Sequence, residues 1–287
     1  MANSIVKAKK YVPILDEKYI AEVSTAILDS TEEAKYLVEA NTFLVADREL
    51  APLAKYNRNT GYVQGDVNLD WTPYVVEYDR GRMFVVDERD NEEAAGLAYL
   101  GIAGQFIKEY VAPELNAVRI ATYATKAAAA NKVDVTITDS ASAYAAVRAC
   151  ANKLANDGVP AERRVTFIDV TTKGLIDDMD SYKSKAALAD LGTVIVVPDN
   201  SFATTCTLVD AGGYKLGGKY IRFITIDKAA VIQHLTHVAP KIVTPEMNQD
   251  MDAYKYGYRI VGIADVYKNK KNGIYVGQGS AVPVTEG

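Results

Sequence analysis

The apolar and polar positions along the chain fall into stretches of different period. Residues 1–41 mix charge with small apolar residues, and "PILDEKYIAEVSTAILDSTEEAKYLVE" holds one or two short helices. These have little apolar surface of their own, so the stretch reads as an arm that must lie on something. From Thr42 the character becomes extended. "TFLVADRELAPLAKY" and "WTPYVVEYDRGRMFVVD" are rich in Val, Phe and Tyr, and the polar "NRNTGYVQGDVNLD" between them is punctuated by Gly61 and Gly65. Together they predict a long hairpin over 42–88. A strand of about 12 residues spans about 40 Å, and an isolated two-stranded ribbon is marginal in water. The ribbon therefore needs a surface to lie on. Pro52 and Pro73 suit edge strands.

A helix comes next, with Asp90 and Glu93 as a capping-box-like start. Leu97, Leu100, Phe106, Ile107, Tyr110 and Val111 make a broad apolar stripe, Pro113 predicts a kink, and "ELNAVRIATYATKAAAA" carries the helix on. One kinked helix over 91–124 would be about 50 Å long, which implies a flat, elongated molecule. Gly96, Gly101 and Gly104 within it read as small-residue packing inside one subunit.

Residues 133–198 alternate between the two periods. "KVDVTIT", "RVTFIDV" and "GTVIVVP" are strands, with a helical candidate between the last two. Asp139 or Thr138 caps "SASAYAAVRACANKLAND", which carries Tyr144, Val147, Ala151 and Leu154 on one face and is stopped by Gly158. After the glycine-rich turn "DAGGYKLGGKY" come the strands "IRFITID" and "HVAPKIVTP". "KYGYRIVGIADVYKNKKNGIYV" then alternates like two antiparallel strands joined by the turn "NKKNG".

One stretch does not fit its own strand. In "EYDRGRMFVVDERDNEE", Asp79, Arg80 and Arg82 crowd around Gly81, and a knot of mixed charge from Asp87 to Glu93 precedes the helix. A strand that served only its own chain would not need this charge, so we assign it to contact with a neighbouring copy.

Composition narrows the function. The 287 residues suffice for about two domains, and with 49% apolar residues a sizeable core is affordable. The net charge of −5 argues against a dedicated reader of duplex DNA, though not against a protein that encloses nucleic acid. Two cysteines, Cys150 and Cys206, build no disulfide framework and fit a reducing cytosol. No stretch approaches the roughly 20 apolar residues of a membrane span, and the N-terminus lacks a signal core.

Candidate chemistry is thin. His234 and His237 form a His-x-x-His pair, but a zinc site wants four ligands, or three and a water. We read them as surface or packing residues. Asp169 with Thr171, Thr172 and Lys173 stands where a phosphate-handling enzyme would place an aspartate, but the second carboxylate two residues on is missing. These read as turn and cap residues on an exposed loop. "AGGYKLGGKY" lacks dinucleotide and P-loop spacing, and no nucleophile elbow occurs. We therefore expect no catalytic residues, no cofactor and no metal. The aromatic inventory says more: of 19 tyrosines, Tyr56, Tyr62, Tyr74 and Tyr78 join Trp71 in or beside the hairpin. Tyr, Trp and Arg concentrate at interface cores.

The order of these features carries a resemblance. A charged arm, a polar-tipped hairpin, "YDRGRMFVVDERDNEEA" leading into a long helix with "PELNAVR", an α/β stretch, and "AVIQHLTHVAPKIVTPEMNQDMDAYKYGYRIVGIADVYKNKKNGIYV" together look like the major capsid protein of tailed phages. The fold type is Hong Kong 97-like, in the α+β class. The resemblance implies an N-terminal arm (1–41), an extended loop hairpin (42–88), a peripheral domain with a spine helix (89–132), an axial domain (133–229) and return strands of the peripheral domain (230–287). It implies a virion shell of hexamers and pentamers around double-stranded DNA, made in a bacterial host cytoplasm. A separate scaffolding protein, a portal and head-completion proteins would be its partners, and no membrane.

The subunit interface would draw on Tyr62, Trp71, Arg80, Arg82, Asp87 and Arg89. Extended loops in this family lie across the adjacent subunit, so Arg80 and Arg82 would fork onto acids at the hairpin base or on the neighbour. Gly81 would permit a bulge or a close backbone approach. Isopeptide cross-linking through Lys55 is not expected. The alternatives are an encapsulin-type compartment shell and, further off, an α/β enzyme using Asp169.

Overall fold

A computed structural model describes residues 23–29, 37–39, 42–59, 61–89, 102–179 and 181–283. Three sheets organise them. In the first, β1 (Leu37–Glu39), β2 (Thr42–Leu50) and β3 (Val67–Val75) lie in that order as an antiparallel ribbon. In the second, β4 (Tyr78–Asp87) is joined by two strands from far along the chain. The third, six-stranded sheet gathers the rest.

The ribbon is thus shorter than 42–88. Residues 51–56 leave the ladder after Leu50, and the returning strand breaks at Val76 and Glu77. Beyond that break, β4 pairs with a different partner. Gly81 forms no bulge: the register runs without a shift from Ala253↔Asp87 to Gly262↔Tyr78, with Gly81 opposite Arg259. The close approach is real, because a Cβ at Gly81 would lie 3.0 Å from the Tyr258 carbonyl oxygen.

The predicted start of the long helix, with Asp90, Glu93, Leu97, Leu100, Gly96 and Gly101, lies outside the described residues. From residue 102 the helix runs as α1 (Ile102–Phe106), a π turn (Ile107–Val111) and α2 (Ala112–Lys126). The π turn is the local answer to Pro113. Proline has no N–H for the carbonyl four residues back, and its ring clashes with that carbonyl. Here the Ala112 N–H reaches back five residues, to the Ile107 carbonyl, and the widened turn accommodates the proline. The disturbance expected at Pro113 thus takes the form of a π turn at Ile107–Val111.

α2 is buried on nearly every side, as a helix between two layers must be. Towards its N-terminal end, Ile107, Val111, Ala112 and Leu115 pack on Tyr78, Tyr256, Tyr258 and Ile260 of the second sheet. Towards its C-terminal end, Ile120, Tyr123 and Ala124 pack on Phe167, Ile224, Ile226 and Val276 of the third. The helix is the spine shared by both cores.

The third sheet runs β5 (Lys132–Asp134), β12 (Ile274–Ala281), β9 (Tyr214–Asp227), β6 (Arg164–Asp169) and β7 (Thr193–Val197), with β8 (Ala203–Leu208) also on β9. Its other face carries α3 (Ser140–Asn156), α4 (Val170–Asp177) and α5 (Ser181–Asp190), whose core includes Val147, Leu154 and Ile176 against Phe223 and Tyr275. Asp139 is the N-cap of α3, accepting from the Ser142 N–H at 2.7 Å, and Gly158 takes φ 79° beyond its end.

The predicted hairpin around "NKKNG" does not form. β11 (Ala253–Val266) lies between β10 (Val231–Val243) and β4 in the second sheet. β12 joins the third sheet, and residues 268–273 form a 3-10 crossing between them. The stretch 230–287 therefore divides between the two sheets. Pro240 sits in β10, an edge strand, where a missing N–H costs least.

Part of the arm lies on the spine, as its composition demands. Residues Ser24–Leu28 form a 3-10 turn with Val23 and Leu28 buried. Polar contacts fix it further: Thr25 Oγ1 accepts from Arg119 Nη1 (3.0 Å) and donates to Asn116 Oδ1 (2.8 Å). Gln233 Nε2 donates to the Thr25 carbonyl (2.7 Å) and to Asp29 (2.6 Å), while its Oε1 accepts from Tyr123 Oη (2.7 Å).

Candidate subunit interface

Among the described residues of the ribbon, those buried in its own chain lie at its base. Tyr74 and Val76 pack with Ile232 and Ile263, and Tyr74 accepts from the Lys268 N–H at 3.1 Å. Beyond that base the ribbon stands away from the body. Its register places Leu44, Ala46 and Leu50 across from Pro73, Trp71 and Val67. Period-two alternation then gathers Val67, Leu69, Trp71 and Val75 on the same face. All four are exposed, Trp71 by 59%. At the tip, Tyr62 is 89% exposed, and its ring meets Tyr56 edge to face at 5.0 Å. Two of the predicted interface residues, Tyr62 and Trp71, are thus offered to solvent.

Arg80 and Arg82 are placed differently. Arg80 binds its own chain through every arm of its fork. Nε donates to Glu114 Oε1 at 3.0 Å, Nη1 to the Val209 carbonyl at 2.9 Å, and Nη2 to the Gly213 carbonyl at 3.2 Å. Tyr78 Oη also donates to Glu114 Oε1, at 3.0 Å. Arg82 Nη1 donates to the Ala211 carbonyl at 2.9 Å. The Cα hydrogen of Gly212 is what leaves room, because a Cβ there would lie 2.9 Å from Arg82 Nη1 and the φ is 125°. The expectation that the chain itself has no use for this charge is overturned. Arg80 ties β4 to the spine helix through Glu114 and to the 209–213 turn, whereas Arg82 reaches that turn alone, through the Ala211 carbonyl and no acid.

The remaining charges of the stretch sit locally. Asp79 takes two donors from Arg259, at 2.9 and 2.5 Å, and this bonding holds its carboxyl below the usual carboxylate range. Asp87 Oδ1 accepts from the Arg89 N–H at 3.0 Å. Neither Asp87 nor Arg89 is brought to Arg80 or Arg82 by these contacts. Sequence reasoning missed Glu114 and the 209–213 turn. The turn carried a signal in its glycine pair, whereas Glu114 carried only that of an acid inside an apolar stripe.

β4, the π turn with its flanks, and the 209–213 turn enclose an open cleft of about 690 Å³. Phe106 forms its back, with ring centroids 4.9 Å from Phe84, 6.0 Å from Tyr110 and 6.1 Å from Tyr258.

The other candidates resolve into structure. Asp169 is the N-cap of α4, accepting from the Thr172 N–H at 2.9 Å and pairing with Arg222 at 3.0 Å. It is buried, contrary to the exposed loop expected of it. Thr171 is hydrogen-bonded to Asp199. His234 and His237 lie on β10 opposite Ile263 and Val261. Among the described residues no three His, Cys, Asp or Glu side chains gather as a metal set, and no helix is long and apolar enough to cross a membrane.

No family model matches the sequence, and no curated protein does. The fold, however, is found among solved structures. A Mycobacterium phage Che8 structure superposes with a TM-score of 0.64 at 14% identity, covering 88% of this chain and 90% of that one. The asymmetric unit of the bacteriophage PhiM1 mature capsid gives 0.62 at 10% identity, over 86% and 84%. The capsid of cyanophage P-SCSP1u gives 0.61 at 9% identity, over 86% of both. The chain has the mixed helix-and-sheet fold of these phage capsid structures.

Proposed function

We propose that the chain is a major capsid protein, a shell subunit that self-assembles into the pentamers and hexamers of an icosahedral phage head around double-stranded DNA. The observation that carries this reading is the ribbon: it is anchored by Tyr74 and Val76, yet leaves Val67, Leu69, Trp71 and Val75 exposed on one face. An apolar sheet face of this kind is unstable in water unless another surface covers it. A fold found in phage capsids supplies that surface from a sister molecule. In this reading the spine helix and second sheet form the peripheral part of the subunit, the third sheet with α3–α5 forms the axial part, and the ribbon reaches across to a neighbour. Tyr62 and Trp71 are direct interface residues, with Asp87 and Arg89 on the flank. Arg80 and Arg82 act from behind, by fixing the strand from which the ribbon departs. The working location is the virion, with a scaffolding protein and a portal as separate partners.

Many modest contacts suffice. One interface of about 1,600 Å² can be only micromolar, but closing a ring makes later contacts intramolecular and raises avidity roughly 10² to 10⁴-fold. Weak single contacts also let misplaced subunits leave before closure. The test is to purify the full chain and image it by negative stain across a concentration series. Hollow particles tens of nanometres wide, made of this chain, are expected. A chain that stays monomeric at high concentration, with or without its phage's other head proteins, overturns the reading.

A further inference from the structure

We propose that a knob of lysines, on two turns where the second and third sheets meet, is a sequence-independent contact for the phosphates of duplex DNA. The inference rests on the shell reading and adds which face of the subunit lines the inside of the shell.

The knob is built from turns far apart in sequence. Lys228–Ala230 carries the chain from β9 to β10, and Lys268–Gly273 carries it from β11 to β12, so both cross between the two sheets. They are packed together. The Tyr267 N–H donates to the Ala230 carbonyl at 3.0 Å, and a Cβ at Gly273 would lie 2.9 Å from that of Ala230. Neighbouring elements pin the second turn from outside. The Ala128 N–H donates to the Lys271 carbonyl at 3.2 Å, Asn131 Nδ2 to the Asn272 carbonyl at 2.9 Å, and the Lys268 N–H to Tyr74 Oη at 3.1 Å. The backbone is held, while Lys228, Lys268, Lys270 and Lys271 are exposed.

The buried acids of this corner are already matched. Asp227 pairs with Arg163 at 2.9 Å, Asp265 with Lys126 at 2.7 Å, and Asp157 with Lys153 at 2.7 Å. The lysines of the knob make no ion pair among the described residues. Lys270 donates to the Ala229 carbonyl at 2.8 Å and stands 4.8 Å from the centre of the Tyr267 ring, contacts that leave its charge in place. Two exposed acids border the corner in sequence, Glu162 beside Arg163 and Glu77 at the root of the ribbon, and the lysines outnumber them. The whole chain carries −5, but exposed charges act over only about 10 Å at 0.1 M salt. A ligand at the knob therefore meets positive charge.

That charge fits a phosphate backbone. Lysine is a point charge on a flexible stem, and phosphate contacts position a protein on DNA without reading its bases. An acidic protein segment would call for forked arginines and an apolar seat. Here the exposed cations of both turns are lysines, and Ala230 and Gly273 between them are buried.

The test begins with the unassembled full chain and a short labelled duplex of mixed sequence, followed by fluorescence anisotropy. Log affinity should fall as log salt rises, by roughly 0.9 for each phosphate met. Combining Lys228→Gln, Lys268→Gln and Lys271→Gln should weaken binding by about tenfold or more at low salt and make that slope shallower by about 3. The urea midpoint should not move, since these side chains are exposed. Lys183→Gln with Lys185→Gln, on exposed positions of α5, should change neither affinity nor slope. In particles of the parent chain, Lys228, Lys268 and Lys271 should resist acetylation when DNA is inside and react when the shell is empty. No binding by the parent, binding by the triple variant equal to the parent's, an equal loss from the α5 variant, or tighter binding to polyglutamate than to duplex overturns the knob and leaves the shell reading intact. Equal acetylation of full and empty particles overturns the placement on the inner wall. A parent chain that forms no particles under any condition overturns the shell reading, and its binding to duplex in solution still decides the knob.

Discussion

Arg80 Nε stands 3.0 Å from Glu114 Oε1, joining the strand at the root of the ribbon to the buried spine helix across 34 residues of sequence. Removing one member of a largely buried ion pair leaves the other uncompensated, which is the costly way to break it. Arg80→Ala is expected to destabilise the unassembled chain by about 2–4 kcal/mol, read from the urea midpoint. Tyr78→Phe, which removes one donor to the same carboxylate, should cost only about 1 kcal/mol. Equal effects would mean that Glu114 is not the centre of this knot. The same contacts make Arg82→Glu an unclean probe of assembly, since it would set a carboxylate against the Ala211 carbonyl within the chain itself.

The arm turn is held by polar groups buried against the spine helix. Thr25→Val keeps the shape but removes the oxygen that accepts from Arg119 and donates to Asn116. Stranding a buried guanidinium donor costs about 2 kcal/mol. We expect that loss in chemical unfolding, together with faster proteolytic cleavage around Asp29. Thr25→Ser should restore both. Unchanged proteolysis would show that apolar packing of Val23 and Leu28 alone seats the turn.

These two cases also show what the chain's pattern could reveal. Capping at Asp139 and the stop at Gly158 were legible because donor and acceptor lie within a few residues. Extended character was legible in "KYGYRIVGIADVYKNKKNGIYV", but alternation says which face is buried and not which strand is the partner. β11 and β12 therefore went to different sheets. Pro113 announced a disturbance without saying that a π turn would absorb it. Arg80 with Glu114, Thr25 with Arg119 and Gln233 with the arm are separated by 34, 94 and 208 residues, and no local spacing encodes them. The ribbon was readable for the opposite reason: the polar, glycine-punctuated tip and the aromatic residues beside it lie within one short stretch, and Tyr62 and Trp71 are exposed.

Burial lowers the pKa of His234 from its ordinary 6.5, with Asp29 opposing and Arg119 adding to the shift. The folded chain then holds this imidazole neutral at a pH where the unfolded chain has begun to protonate it. Stability from this group is full above the unfolded pKa and falls as pH drops from about 6.5 through the lower folded value, where the loss levels off. Urea unfolding of the unassembled chain between pH 7.5 and 5 should show this decline, and His234→Asn should flatten part of it. A parallel decline in the variant would assign the pH dependence to other groups.

The exposed face of the ribbon separates folding from assembly most sharply. Leu69 and Trp71 touch solvent in the single chain, so replacing both with Glu should change its stability by no more than about 0.5 kcal/mol. If a neighbour covers that face, a buried tryptophan is a hot-spot residue whose loss costs about 2 kcal/mol or more. At 1.4 kcal/mol per factor of ten, that is roughly thirtyfold per contact. The pairing is repeated at every ring position, so the critical concentration for particle formation, followed by light scattering, should rise beyond any accessible value. A double variant that unfolds early would instead place Leu69 and Trp71 in the chain's own core. One that assembles normally would leave the ribbon's apolar face, exposed in the single chain, without a purpose in the shell.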